Sequence, residues 1–232
     1  MDLRRRATAE FVGTALLLAA VVGSGIMGER LSAGNVALAL LANSLATGAA
    51  LTALILTCGP ISGAHFNPAV SIADASQGGL RWGEALIYVL AQFLGAFAGV
   101  GVADVMFEEP AYAFSTHVRS GSAQAFSEAV ATFGLLAVIW GCSRTRSSTV
   151  PFAVAAYIVA AYWFTSSTAF ANPAVTLARA FTNTFAGIRL QDVPTFWAAQ
   201  VAGAVMATLL FRWLVPSLPE SAPQVATTHP KR

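Results

Sequence analysis

Phe66-Asn67-Pro68-Ala69-Val70-Ser71-Ile72-Ala73 and Ala171-Asn172-Pro173-Ala174-Val175-Thr176-Leu177-Ala178 are two copies of one pattern, 105 residues apart in a chain of 232. Asn favours the N-cap position, and Pro suits the first helical position because the N–H it lacks would have no partner there. Each Asn-Pro-Ala therefore opens a helix, and the apolar run behind it extends to about residue 77 in the first copy and 183 in the second. About 10–12 residues cover about 15–18 Å, against a hydrocarbon core of about 30 Å. Such helices reach half-way across a bilayer. Two of them meeting at mid-depth bring two positive dipole ends and two Asn side chains to one point, where they line whatever passes.

The rest of the chain supplies the bilayer. Hydrophobic residues make up 56% and charged residues 10%, with mean hydropathy +0.65, values that keep a chain of this length out of water. The net charge of +2 comes almost entirely from Arg and forms no run basic enough to engage nucleic acid, which excludes that partner. Cys58 and Cys142 stand far apart and form no ligand pattern, so they read as buried thiols, and neither a metal site nor a cofactor is expected.

Six apolar runs near the length of a crossing lie at about 9–27, 34–57, 82–107, 124–142, 150–167 and 194–215. The first follows Arg4, Arg5 and Arg6 like a signal peptide, yet it is long, contains Glu10 and is followed by many similar runs. It reads as a spanning helix. The expected architecture is an all-α membrane protein forming a single domain over 1–232: repeat one at about 9–107, repeat two at about 124–215, and a polar tail at 216–232. Arg4, Arg5, Arg6, Arg81, Arg144, Arg146, Arg212, Lys231 and Arg232 fall on the side of the termini, and Arg30, Arg119, Arg179 and Arg189 on the other. That bias places both termini in the cytoplasm.

The repeat extends beyond Asn-Pro-Ala. Glu10-Phe11-Val12-Gly13-Thr14 has an echo in Glu128-Ala129-Val130-Ala131-Thr132, and Ala91-Gln92-Phe93-Leu94-Gly95-Ala96 matches Ala199-Gln200-Val201-Ala202-Gly203-Ala204. Gln92, Gln200 and the glycines beside them read as helix packing. Each repeat holds three full spans, an odd number, so the second enters the membrane from the opposite side and the half-helices approach from opposite faces.

With these landmarks the chain resembles the major intrinsic protein family, the aquaporins and aquaglyceroporins, from Glu10 through Arg212; Ser62-Gly63-Ala64-His65-Phe66-Asn67-Pro68-Ala69-Val70 is close to the family's first signature. The resemblance implies six transmembrane helices plus two re-entrant half-helices, a passive channel for small neutral solutes in the inner (plasma) membrane, and a homotetramer with one pore per subunit. The amides of Asn67 and Asn172 would donate to a passing solute. The carbonyls of Gly63, Ala64, His65 and Phe66, and of Ser167, Thr168, Ala169 and Phe170, would accept from it, and non-helical backbone at this depth is tolerated where it lines such a cavity. Converging helix N-termini repel cations and protons. Glu10 and Glu128 would brace the re-entrant loops. His65 is either a pore-side structural residue or a pH sensor.

Counted without gaps from the two Asn residues, the family's narrowest constriction falls on Thr47, Ala160, Ala169 and Val175. None is aromatic or charged, where water-selective members carry an aromatic residue and an Arg, so the opening is expected to be wide and weakly polar. One inserted residue in the fifth span would bring Tyr162, Trp163 or Phe164 to the lumen instead. Arg179, four residues after Val175 on the same helical face, either guards the outer vestibule or contacts headgroups. The wide filter is similar to that of relatives associated with bacterial arsenic resistance, which implies neutral trivalent arsenicals, methylated forms included; the alternative is a glycerol, urea or water channel. A coupled transporter would need more midplane ionisable groups than Glu10 and Glu128, and no nucleophile–base pair points to an enzyme.

Overall fold

The computed structural model describes residues 1–145 and 147–214. Its helices are α1 (Leu3–Leu31), α2 (Val36–Ser62), α3 (Pro68–Ser76), α4 (Trp82–Met106), α5 (Ser122–Thr145), α6 (Val150–Phe164), α7 (Pro173–Ala178) and α8 (Val193–Leu214), and there is no strand among the described residues. Six helical segments are long and apolar enough to cross a membrane. The half-helices α3 and α7, with 9 and 6 residues, are not. The tail 216–232, Arg146, Lys231, Arg232 and the side chain of Arg144 lie outside the described residues.

The second half-helix is shorter than its apolar run suggests. After Ala178 the chain tightens into a 3-10 turn, Arg179–Phe181, whose first two carbonyls are drawn out of the helical ladder by Ile188 N–H (3.3 Å) and Ser115 N–H (3.0 Å).

The outward faces carry large apolar residues such as Leu45, Leu90, Val105, Phe126, Leu209 and Trp213, while Glu10, Gln92, Glu128 and Gln200 are fully buried. That is the arrangement expected when the solvent is lipid and the polar groups face one another. Close approach of the spans depends on two glycines at matching positions. A Cβ at Gly95 would overlap the Phe11 carbonyl of α1, and one at Gly203 would overlap the Ala129 carbonyl of α5. In the inverted repeat each half-helix also leans on the other half: α3 packs against α8, and α7 against α4. We call the face that carries the N-terminus inner and the opposite face outer.

Candidate pore

The residues before each half-helix are bent in the same way. Ala64 (φ 50°) and Phe66 (φ 49°) in the first loop, and Thr168 (60°), Ala169 (49°) and Ala171 (48°) in the second, occupy the left-handed region, and Gly63 (90°) stands opposite Thr168 in the register. Each such non-glycine residue costs about 1–2 kcal/mol. The loops persist because a buried carboxylate collects their N–H groups. Glu10 accepts from His65 N (3.0 Å), Phe66 N (2.7 Å) and the Ser62 hydroxyl (2.6 Å); Glu128 accepts from Phe170 N (2.8 Å) and Ala171 N (2.9 Å). Ser62 Oγ accepts from Ala64 N (3.1 Å) and Ser167 Oγ from Ala169 N (3.2 Å).

The two glutamines do more than pack. Gln92 Nε2 donates to Glu10 (2.8 Å) and Ser71 Oγ (2.9 Å), and Gln200 Nε2 donates to Glu128 (2.6 Å) and Thr176 Oγ1 (2.8 Å). Each repeat thus contains one carboxylate, one glutamine and one hydroxyl joined behind its loop. The recurrence of Ala-Gln in the third and sixth spans was the available signal.

At the centre the motifs interlock. Asn67 Oδ1 caps its own helix at Ala69 N (2.9 Å), while its Nδ2 donates across the axis to the Ala171 carbonyl (2.8 Å). Asn172 Oδ1 caps Ala174 N (3.0 Å) and Val175 N (3.2 Å), and its Nδ2 donates to the Phe66 carbonyl (2.8 Å). One N–H of each amide remains for the lumen that both side chains line. Pro68, Ala69, Pro173 and Ala174 form the first turns behind them.

A cavity of about 350 Å³ runs past this junction, lined by Gly63, Ala64, His65, Phe66, Ala169, Phe170 and Val175. Two of the expected carbonyl acceptors are placed elsewhere. Ser167 and Thr168 do not line it, because Arg119, from the loop before α5, reaches behind them and donates Nη1 to the Ser167 carbonyl and to Thr168 Oγ1 (3.3 Å each). The Phe66 carbonyl is already engaged by Asn172.

The constriction count also needs one correction. Thr47, Ala169 and Val175 line the cavity, but Ala160 is exposed on the side of α6 turned away from it. Helical phase puts Ile158 and Tyr162 on the lumen side. The Tyr162 hydroxyl lies 3.3 Å from Thr47 Oγ1. Trp163 donates instead to Ser44 Oγ (3.1 Å), and Phe164 is exposed.

Arg179 is buried and lines the same cavity. Its Nε donates to the Ala186 carbonyl, and its guanidinium lies 3.4 Å from the Phe170 ring centroid, with Arg119 at 5.0 Å from the same ring. Burial lowers both guanidinium groups, Arg119 to about 10 and Arg179 to about 9, and both stay charged at neutral pH. Among the described residues neither guanidinium pairs with a carboxylate.

The sequence pattern described as Major intrinsic protein matches residues 1–161 and 142–231 in two overlapping stretches. The chain belongs to the major intrinsic protein family. It is 53% identical over 229 residues to the aquaglyceroporin AqpS of Rhizobium meliloti (strain 1021), covering 97% of this chain and 98% of that protein. It is 30% identical over 214 residues to the probable aquaporin NIP7-1 of Arabidopsis thaliana, covering 88% and 74%. Its fold is similar to that of the aquaglyceroporin from Plasmodium falciparum, with a TM-score of 0.72 at 21% identity over 94% of this chain and 99% of that one. Six crossing helices and two half-helices are the aquaporin fold, and as a major intrinsic protein the chain is a multi-pass channel for small solutes.

Proposed function

We propose that this channel conducts neutral trivalent arsenicals, arsenite and its methylated forms, together with polyol-like solutes and water, by passive diffusion and without enzymatic activity. The observation that carries this reading is the mixed lining of the cavity, where the paired hydroxyls of Thr47 and Tyr162 share the lumen with the apolar side chains of Ala169 and Val175. A solute with hydroxyl groups on one edge and a methyl group on the other meets hydrogen-bond partners and apolar wall together. The monomethylated species CH3As(OH)2 has that form and As(OH)3 offers hydroxyl groups alone; both are uncharged at neutral pH and are not turned back by the positive potential of the helix N-termini.

Arg179 guards the outer vestibule in this reading, and Tyr162 makes the filter narrower and more polar than four small side chains would be. Glu10 and Glu128 act as braces. The assembly is a homotetramer of single-domain subunits in the plasma membrane, with both termini cytoplasmic as the Arg distribution suggests; native mass measurement in mild detergent is expected to give four subunits.

The test is an uptake panel in reconstituted vesicles over water, glycerol, urea, arsenite and monomethylated trivalent arsenical. The expected result is nonsaturating flux of the arsenicals, independent of ion gradients. Flux of water and glycerol with arsenicals excluded favours an ordinary aquaglyceroporin and overturns the arsenical assignment.

A further inference from the structure

Position for position, His65 of the first loop corresponds to Phe170 of the second, and Asp74 of α3 corresponds to Arg179 after α7. The outer mouth therefore carries a cation at the C-terminal end of its half-helix, where the helix dipole is negative. The inner mouth carries a carboxylate in the last turn of its half-helix, against the same negative end.

That carboxylate is buried and lines the cavity, and neither of its oxygens has a hydrogen-bond partner among the described residues. A buried carboxylate with both oxygens unspent calls for a compensating group. A titratable neighbour is His65, whose Nε2 stands 3.9 Å from Asp74 Oδ2. The ring is held for this direction: Nδ1 lies 3.1 Å from Ser71 Oγ, Ser71 receives Gln92 Nε2, and the ring meets Tyr88 edge-on at 5.6 Å. The nearby cation, Arg6, is turned away, with Nε on the Tyr88 hydroxyl (2.8 Å) and Nη1 at 3.6 Å from Glu84.

We propose that the inner mouth of the pore binds one divalent transition-metal cation of the Zn2+ class, with His65 Nε2 and the Asp74 carboxylate as protein ligands and lumen water completing the shell. Imidazole nitrogen and carboxylate oxygen suit such a cation. Ligand bonds of about 2.0–2.2 Å at a tetrahedral angle set the two donors about 3.4 Å apart, so the observed 3.9 Å closes by about half an ångström through a small side-chain rotation. The Ser71–Gln92 relay behind His65 is the outer support that orients metal-bound imidazoles. With two protein ligands the affinity is modest, and the cation obstructs the lumen when bound. The outer mouth, with Phe170 and Arg179 at the matching positions, has no such site.

Binding is measured by calorimetric titration of Zn2+ into the purified full-length protein in detergent, and needs no assumption about which solute the channel conducts. We expect about one Zn2+ per chain, with affinity falling at least tenfold in His65→Gln and in Asp74→Asn, and retained in His117→Gln, which alters an outer-loop histidine. Cu2+ in its place is expected to show an electron paramagnetic resonance signal with nitrogen coupling that His65→Gln removes. Absence of wild-type binding up to millimolar Zn2+, or binding unchanged in folded His65→Gln and Asp74→Asn, overturns the proposal. Should neither variant fold, loss of the Cu2+ nitrogen coupling on carbethoxylation of the wild type at His65, mapped by mass spectrometry, supports the site, and persistence of that coupling overturns it.

Discussion

The two repeats share a frame and differ in what they mount on it. Glu10, Gln92 and Ser71 on one side, and Glu128, Gln200 and Thr176 on the other, make matching contacts behind matching left-handed loops. Seven residues past each motif Asn, one half-helix carries Asp74 and the other is followed by Arg179; two residues before each Asn stand His65 and Phe170. The bracing polar residues are thus duplicated, whereas the residues at the two mouths have diverged. Symmetry in this protein marks what holds the pore open, and asymmetry marks what the pore meets.

Breaking the shared frame should give the largest effects, and similar ones in both halves. Glu128→Leu leaves the N–H groups of Phe170 and Ala171 and the Gln200 amide without their acceptor, at about 1–3 kcal/mol each. Glu10→Leu does the same to His65, Phe66 and Gln92. Both are expected to lose most folded protein, measured as monodisperse yield in detergent, while Glu128→Gln keeps most conduction. A large disparity between the two Leu variants would break the equivalence of the repeats.

The next effect concerns selectivity. Val175→Arg places a long cation and several donors beside Thr47 and Tyr162, and should cut uptake of glycerol-sized and methylated solutes far more than that of water. Equal fractional loss of both, measured on the same folded protein, would show that Val175 packs the half-helix rather than shaping the lumen.

Arg119→Gln should act on the outer half alone. It removes contacts to the Gly187 carbonyl (2.8 Å), Ser167 and Thr168, lowering stability by about 1–3 kcal/mol in a denaturation series. Arg119→Lys should restore little, because one ammonium group cannot reproduce a planar fork that reaches several acceptors.

The smallest effect sharpens the contrast between the mouths. Arg119 and Arg179 remain protonated near neutrality, and burial and the two arginines lower His117, leaving it neutral there. Changing the pH on the outer face, the one opposite the N-terminus, from about 8 to about 7, in a range where ordinary histidines begin to charge, should leave flux unaltered. A twofold change in stopped-flow permeability would place a titrating group at the outer mouth.

Most of the frame was legible in the sequence because it is written twice: Asn-Pro-Ala, the buried glutamates and the Ala-Gln pairs recur in order, and an odd number of spans per repeat fixes their inversion. What was not legible depends on helical phase and on loops. Counting back from Asn172 falls on Ala160, but α6 ends at Phe164 and an irregular stretch of the chain intervenes, so the lumen-facing side chain is Tyr162. Arg119 reads from sequence as one more basic residue in an outer loop. Only the folded chain brings it behind Ser167 and beside Phe170.

The crossed amide bonds at the centre bear on how the chain is made. Asn67 donates to the carbonyl of Ala171, 104 positions later. At a synthesis rate of about 5–20 residues per second, about 5–20 s separate the emergence of the two groups from the ribosome. Through that interval the first half-helix has its own cap but no partner across the axis. Completion of the pore is therefore a late step in biogenesis, closed by the second re-entrant segment, and a ribosome stalled before residue 171 would leave a chain with five of its six crossing helices made and an Asn67 amide that must be solvated by water or by the insertion machinery.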